Sequence, residues 1–378
     1  MPDFQRRETP MSKPLVHAVL LLALSPLARA QHDPPPAPAA PITASERHAV
    51  IEALAAQVQA HYVFPEAGAK LAAALRAREA SGAYAGDGDT AVFGKHLDQD
   101  LRTLGDDGHF NVRYDPELAT QASGASEPPL PDAEDIARGR SEMAQIWFGL
   151  GGIERLPGNV GYIEVRGFGP TELVADVLSA AITVVQGSDA LIIDLRRNNG
   201  GTPQTVAHLM SHIFPVGDQR HLNDIYSRID DSTQQFWTNP SVMPRYTNPV
   251  YVLTSARTFS GGEEFAYDMQ TQKRATLVGE TTGGGSNPGE MYPLAHGFAA
   301  FIPHSRSINP VTRTNWEHAG VKPDIAVPAA EARKAAHIAA LERLVSMATD
   351  PEVKADQEAA LAKLRAGIVD APVYTPRH

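Results

Sequence analysis

The chain has 378 residues, 43% of them hydrophobic and 20% charged, which is enough apolar material for one large or two ordinary soluble domains with a sizeable core. Its formal net charge of −11 argues against nucleic acid or an anionic membrane surface as partner, since neither attracts a protein of this sign. There is no cysteine, which excludes disulfides, thiol catalysis and thiolate metal sites and leaves stability to the core.

Lys13 precedes an apolar run over residues 16–24, and Ala28-Arg-Ala30 follows with small residues at the spacing of a cleavage site. Residues 1–30 are therefore expected to be a secretory signal peptide cleaved near Ala30, with Met11 competing with Met1 as initiator, and a periplasmic or secreted location follows. The run is shorter than the ~18–20 residues of a spanning helix. No later segment reaches that length, so no integral membrane segment is expected after signal removal.

Residues 31–42 are rich in Pro and Ala and are expected to be a linker. A small helical subdomain is expected over residues 43–115. It opens on Thr43-Ala-Ser-Glu46, the spacing of a capping box, after which Val50, Ile51, Leu54 and Val58 recur at helical intervals. Tyr62-Val-Phe-Pro65 breaks that helix, and two more apolar helical patterns follow up to Leu104. A Gly/Asp turn then delivers His109 to the start of an alternating strand, Phe110, Val112 and Tyr114. An imidazole at a loop edge suits a general base, although a histidine in such a place is as often a surface or core residue. Residues 116–145 are polar and Pro/Ala/Ser-rich and are expected to be a loop or linker.

An α/β core is expected over residues 146–330. Residues 160–165 alternate as a strand, 172–185 carry a helical pattern, and 190–195 form a fully apolar strand, which together make a crossover unit with parallel strands. Asp194, Arg196 and Asn198 then lead into Gly200-Gly201, at the strand end where open α/β sheets form ligand crevices. The plain alternative for the glycine pair is a tight turn needing positive φ.

The strand over residues 249–253 leads to Ser260-Gly-Gly-Glu263 and another helical pattern. A hydroxyl at a strand-to-helix turn, with glycine N–H groups behind it and a helix N-terminus adding positive potential, has the address of a nucleophile. Ser260 also satisfies a simple helix cap completed by Glu263. Residues 279–289 are glycine-rich and expected to be a mobile loop, and they lack the G-K-[ST] ending of a phosphate-binding loop. A polar segment with Glu317 follows the strand over residues 298–303. A helical extension is expected over residues 331–378, its Ala-rich helices free to pack on the core or form an interface.

A turn serine, a loop-edge histidine and a loop glutamate suit acyl transfer, in which a base makes the hydroxyl competent and a carboxylate holds the imidazole. A metal hydrolase is disfavoured because no H-E-x-x-H or similar pair occurs. Neither a cofactor nor a metal site is expected.

Gly161-Tyr-Ile, Asp194-Leu-Arg-x-Asn-x-Gly-Gly201, Ser260-Gly-Gly-Glu263, Gly279-Glu-Thr-Thr-Gly-Gly-Gly285 and Gly320-Val-Lys-Pro-Asp-Ile325 occur in one order. Together they resemble the S41 peptidases, the C-terminal processing and tail-specific proteases, over roughly residues 43–330. The Ser/Lys branch of that family carries a lysine where this chain has Gly285, 25 residues after Ser260. About forty-five residues separate Tyr114 from Val160, too few for the PDZ domain usual in that branch. The helical start and the Asp107-Gly-His109 strand instead resemble the branch of the tricorn core protease and the interphotoreceptor retinoid-binding protein modules.

The resemblance implies a mixed α/β fold with a ClpP/crotonase-like ββα core and a parallel-rich sheet, preceded by a small helical domain and followed by C-terminal helices. It implies Ser260 as nucleophile, His109 as base and Glu317 as the orienting carboxylate, with Asp106 and Asp107 as local competitors for that role. Gly201 and Gly261 would supply the oxyanion hole, and Asp194, Arg196, Asn198 and Glu263 would support the turns that present them. The implied function is an exported serine peptidase that hydrolyses peptides or unfolded chains through an acyl-enzyme. The implied alternative is a non-catalytic binder of lipid- or retinoid-type ligands.

Overall fold

The computed structural model describes residues 38–122 and 132–368. The expected signal peptide, and all of the expected linker before residue 38, lie outside the described residues. The first helix, α1 (Ala44–His61), starts where the capping box places it: Thr43 accepts the Glu46 N–H and Glu46 returns the bond. Helix α2 (Pro65–Ala80) begins on a proline, whose missing N–H is no loss in a first turn, and α3 (Thr90–Gly105) is capped by Asp89. Asp106 ends α3 in the left-handed region at φ 49° and turns the chain through Asp107 and Gly108 to His109 and strand β1 (Asn111–Tyr114).

Where a linker was expected over residues 116–145, the chain forms α4 (Pro116–Ala122) and α5 (Ala133–Gln145), with residues 123–131 outside the described segments. The reason is polar anchorage that apolar periodicity does not reveal. Asp132 and Asp135 close a capping box, and Arg140 binds Leu173 O and Asp176 on the following helix; Met143 is the residue of α5 that is buried.

The core then runs β2 (Leu150–Leu156), β3 (Val160–Val165), α6 (Thr171–Val185), β4 (Ala190–Asp194), α7 (Pro203–Ser211), β5 (His221–Ser227) and β6 (Ser232–Trp237). It continues with β7 (Val250–Thr254), α8 (Gly261–Thr271), β8 (Ala275–Gly279), β9 (Gly289–Pro293), β10 (Phe298–Pro303), β11 (Ser305–Ile308) and β12 (Ile325–Ala326). Helices α9 (Ala329–Met347) and α10 (Pro351–Arg365) close the described chain, separated by Asp350, which caps α10. No helix among the described residues is long and apolar enough to cross a membrane.

Six strands form one sheet in the order β12-β8-β7-β4-β3-β2. Every pairing is parallel except that of β2 with β3. Strands β4 and β7 are buried along their whole length, because helices cover both faces, and this produces their uninterrupted apolar runs. One face packs on α6, α7 and α8 through Leu178, Ile182, Val206, Phe265 and Met269. The other packs on α9 and α10 through Ala336, Ala340, Leu341 and Leu361. The expected mixed α/β class, with a parallel-rich sheet and helices at both ends, is what the fold shows.

Two smaller sheets, β1-β10-β9 and β11-β5-β6, complete the structure. The first of these positions the site. Asn111 pairs with Phe301 and Tyr114 with Phe298, so the strand after His109 is stitched to the far half of the chain. Phe298, Ala300 and Ile302 join Val50, Leu54, Phe93 and Phe110 in one apolar cluster, and the helical N-terminal segment shares its core with residues from beyond 290.

Candidate active site

Ser260 stands at the N-terminus of α8, at the carboxyl end of β7, with φ 52° and ψ −121°. That region favours glycine, and a serine held there stores backbone strain that its surroundings must enforce. The enforcement comes from the neighbouring turn. Ser255 Oγ donates to Arg196 O at 2.6 Å, Thr258 Oγ1 donates to Leu195 O at 2.8 Å, and the Phe259 N–H donates to Asn198 O at 3.0 Å. Of the expected helix cap the return half is in place, since the Ser260 N–H donates to Glu263 Oε2 at 2.9 Å, while the Glu263 N–H goes to the Ser260 carbonyl and not to its hydroxyl.

Gly200 and Gly201, at φ 100° and 140°, lie against this turn. A β-carbon on Gly200 would fall 2.6 Å from Ser260 Cβ, and one on Gly201 would collide with Phe168 O. Phe168 bridges to Gly201 by donating to Gly200 O and accepting from the Thr202 N–H, which leaves the Gly201 N–H outside the bridge. The Gly261 N–H belongs to the first turn of α8 and has no intrahelical acceptor. The two glycines touch: Gly201 N lies 3.1 Å from where a β-carbon on Gly261 would stand.

Asn198 and Asp194 are buried supports. Asn198 Nδ2 donates to Val165 O and its Oδ1 accepts the Gly200 N–H at 2.7 Å. Asp194 accepts from Tyr162 and from the Arg196 guanidinium, which also donates to Ala329 O. These contacts hold the glycine turn from behind and do not reach Ser260.

Glu263 is fully buried and takes four donors. Its Oε1 accepts from Thr282 Oγ1 and the Gly284 N–H, and its Oε2 from the Gly285 and Ser260 N–H groups. Burial pushes its carboxyl above the ordinary value despite these bonds. The glycine-rich segment expected to be mobile is thereby pinned: residues 284–287 are buried, and Trp316 Nε1 donates to Gly285 O at 2.7 Å.

His109 is brought to this point by β1, with 10% of its side chain exposed. Its ring packs on Phe259 with centroids 4.6 Å apart. Asp107 Oδ1 accepts the His109 backbone N–H at 2.9 Å and lies 3.6 Å from Nδ1, while Oδ2 accepts from Asn287 Nδ2 and Tyr62 Oη. Burial pushes the Asp107 carboxyl up, but the charge of the nearby imidazole, the Asn287 amide and the His109 backbone N–H outweigh it and hold the group below its ordinary value. Glu317 Oε2 accepts from the backbone and hydroxyl of Ser286. Burial, and then the nearby charge of Asp107, raise the Glu317 carboxyl.

Asp107, His109 and Glu317 each offer an atom within 4.8 Å of the others. Asp106 instead leaves 90% of its side chain in solvent and faces His318. The structure thus assembles two groups, Ser260 with Gly201 and Gly261, and His109 with Asp107 and Glu317. Phe259 and Gly285 join them. A β-carbon on Gly285 would overlap the Phe259 ring and fall 2.7 Å from His109 Cε1, while the Gly285 N–H shares Glu263 Oε2 with Ser260. No hydrogen bond joins Ser260 to His109, and both imidazole nitrogens are buried without a partner. Tyr62, Phe259, Ser286 and Asn287 also contact these groups, and of the four only Phe259, next to Ser260, carries a local signal in the sequence.

The family model described as peptidase family S41 matches residues 159–327, and a model of the N-terminal domain of Peptidase S41 in eukaryotic IRBP matches residues 41–145. The tail-specific protease of Haemophilus influenzae is 29% identical over 171 residues, 43% of this chain and 22% of that protein. The carboxy-terminal processing protease CtpB of Bacillus subtilis is 27% identical over 172 residues, 45% of this chain and 34% of that one. The chain therefore spans well under half the length of these curated relatives. Among solved structures, the tricorn protease has a TM-score of 0.51 at 11% identity, covering 85% of this chain and 37% of that chain. A lipoprotein from Streptococcus agalactiae has a TM-score of 0.50 at 13% identity, covering 80% and 98%. At these identities the two structures share the fold.

Proposed function

The chain belongs to peptidase family S41, and from that premise we propose that it is an exported serine peptidase in which Ser260 is the nucleophile and His109, not a lysine, is the base. The observation that carries this reading is the packing at Gly285. The space that a side chain at position 285 would enter is filled by Phe259 and the His109 imidazole, so a lysine there would have to displace the imidazole, which is the basic group packed at that position. The Asp107-Gly-His109 turn before β1 is part of the stretch that resembles the tricorn and retinoid-binding branch.

In the proposed reaction, Ser260 Oγ attacks the scissile carbonyl and its proton passes to His109. The oxyanion accepts from the Gly201 and Gly261 N–H groups, which the glycine turn holds beside the nucleophile. The imidazolium then protonates the leaving amine, and water deacylates the enzyme by the reverse proton path. Substrate binding must bring Ser260 and His109 into hydrogen-bond contact, since catalytic bonds are commonly long in free enzymes and tighten in the complex. Asp107 orients the imidazole from the Nδ1 side, anchored by Asn287 and Tyr62, and Glu317 flanks the same ring. The substrates proposed are peptides or unfolded chains, in keeping with the proteolytic relatives.

Labelling with a fluorophosphonate tests the assignment together with peptide turnover. Ser260 should be modified in the folded protein, and Ser260→Ala should abolish both labelling and peptidase activity. A folded protein that leaves Ser260 unlabelled would instead match a non-catalytic binder on the same scaffold.

A further inference from the structure

Beside Ser260, His109 and Glu317 present ligand atoms that the protein itself does not use, and Asp107, whose oxygens accept from the His109 N–H, Asn287 and Tyr62, stands against them. Glu317 has 9% of its side chain exposed. Its Oε2 takes both Ser286 donors, whereas its Oε1 has no hydrogen-bond partner. Both His109 nitrogens are likewise unpaired, and the Asp107 side chain has no exposed surface. One atom from each residue lies within 4.8 Å of the other two. Buried polar atoms are nearly always paired, and leaving one unpaired is costly. A group of them converging on one point needs an explanation.

A cation supplies what hydrogen bonds among these groups do not, because a neutral imidazole sets a single N–H against its own lone pair and two carboxylates. One nitrogen and two oxygens form a donor set that suits Zn²⁺ and similar first-row ions, whereas Mg²⁺ and Ca²⁺ favour all-oxygen shells. Zinc-to-ligand bonds of about 2.0–2.2 Å place neighbouring ligands roughly 3.3–3.6 Å apart. The Asp107–His109 separation of 3.6 Å is already in that range, and Glu317 has an ångström or so to close. Three protein ligands also leave a position open.

We propose that Asp107, His109 and Glu317 form a binding site for one Zn²⁺-type ion, and that the bound ion switches the peptidase off. A neutral imidazole has one nitrogen lone pair, so an ion on one nitrogen keeps the proton on the other and leaves nothing to receive the Ser260 proton. The ion and the catalytic proton compete for the same lone pair. Inhibition presupposes the peptidase function proposed above, whereas ion binding does not.

A second cluster, His48, Glu52 and Glu79, serves as an internal control. Unlike the first, it holds no buried atom without a partner, and His48 Nδ1 binds Glu79 Oε1 while both Glu52 oxygens accept from Arg76. It is not expected to retain an ion.

Titration calorimetry of the full chain with Zn²⁺, and separately with Mg²⁺, near neutral pH tests the site without any turnover. The expected result is one Zn²⁺ per chain and no comparable Mg²⁺ binding. Losing an outer partner of a metal ligand typically weakens binding 10–100-fold, so removing a ligand in Glu317→Gln or His109→Ala should weaken it more than tenfold, with His48→Ala unchanged. Circular dichroism accompanies each variant, and two separate ligand variants keep a single folding failure from deciding the outcome. No binding to the intact chain, unchanged affinity in the folded ligand variants, or loss of binding in His48→Ala would overturn the site. Fluorophosphonate labelling adds the regulatory arm: Zn²⁺ should block labelling and EDTA restore it. Labelling unaffected by bound Zn²⁺ overturns the inhibitory role, while labelling absent even with EDTA counts against the peptidase reading and leaves the calorimetric result standing.

Discussion

Gly285 and His109 occupy adjoining space, such that a β-carbon on the glycine would lie 2.7 Å from imidazole Cε1. The Phe259 ring closes the same space from the other side, and the Gly285 N–H is fixed by Glu263. Gly285→Ala must therefore displace one of two rings that also pack on each other. Overpacking of this kind costs about 1–3 kcal/mol of stability. The larger effect is expected on kcat, at least tenfold, because the ring that moves is the proposed base or the ring packed on it. Gly285→Lys should not restore a Ser/Lys enzyme. Steady-state kinetics on a peptide substrate, with thermal melts alongside, check both expectations.

The Asp107 carboxylate makes a separate prediction for activity and for pH. Asp107→Asn keeps the shape but removes the charge facing the imidazole, and general base catalysis is worth about 10²–10⁴-fold. A loss of that order in kcat with little change in KM is expected, exceeding the loss in Glu317→Gln. Equal or reversed losses would make Glu317 the orienting residue. Asp107 is held below its ordinary value of 3.8. Its contribution to stability is therefore complete above that value and is lost as the pH falls through the folded-state pKa. Melting temperatures recorded from pH 7 down into the acid range should show a smaller acid loss in Asp107→Asn than in the parent chain.

Gly201 tests the oxyanion assignment. Its φ of 140° and the contact with Phe168 O leave no room for a β-carbon, so Gly201→Ala must rotate or shift the N–H aimed beside Ser260. Losing one oxyanion donor lowers turnover by about 10²–10³-fold, and kcat should fall while KM changes little. Fluorophosphonate labelling should slow in parallel, because its phosphoryl oxygen would use the same proposed donors. A variant that folds normally and turns over at the parental rate would remove Gly201 from the oxyanion hole.

Much of this arrangement is legible in the residues alone, and the reasons for the exceptions are physical. The runs that became β4 and β7 announce themselves because strands covered on both faces need apolar residues at every position. Thr43 and Glu46 mark the start of α1 because a capping box is a local bond pair. Strand β6 shows no such signal: most of it is exposed, so nothing selects alternation. Helix α5 is held by Arg140 and an Asp cap, which no apolar period reports. The Asp107–Asn287 bond spans 180 positions, and the Gly-rich segment containing Asn287 has the composition of a free loop while its backbone is tied to Glu263. Ser260 and His109 could be nominated by their local surroundings, but the space that Phe259 and His109 share with Gly285 exists only after β1 pairs with β10.

The helix that Ser260 begins carries a further feature one turn in. Glu264 and Asp268 are both buried on α8, four residues apart and so on one face. Asn309 Nδ2 donates to Asp268 Oδ1 at 2.9 Å, whereas Glu264 Oε1 and Asp268 Oδ2 have no partner. Burial raises both carboxyls, and the charge of Glu264 raises Asp268 further. The folded protein thus retains protons that the unfolded chain releases at about pH 4. The sign follows from linkage: stability is greatest below the unfolded pKa and declines as pH rises through the folded values. Melting temperature should therefore fall between pH 5 and pH 8, and Glu264→Gln, which is neutral throughout, should flatten that decline. Because α8 supplies the Gly261 N–H and the Glu263 brace, peptide turnover in the parent chain should lose heat resistance over the same interval. A parental melting temperature that stays level from pH 5 to pH 8 would show that the pair ionises without cost to the fold.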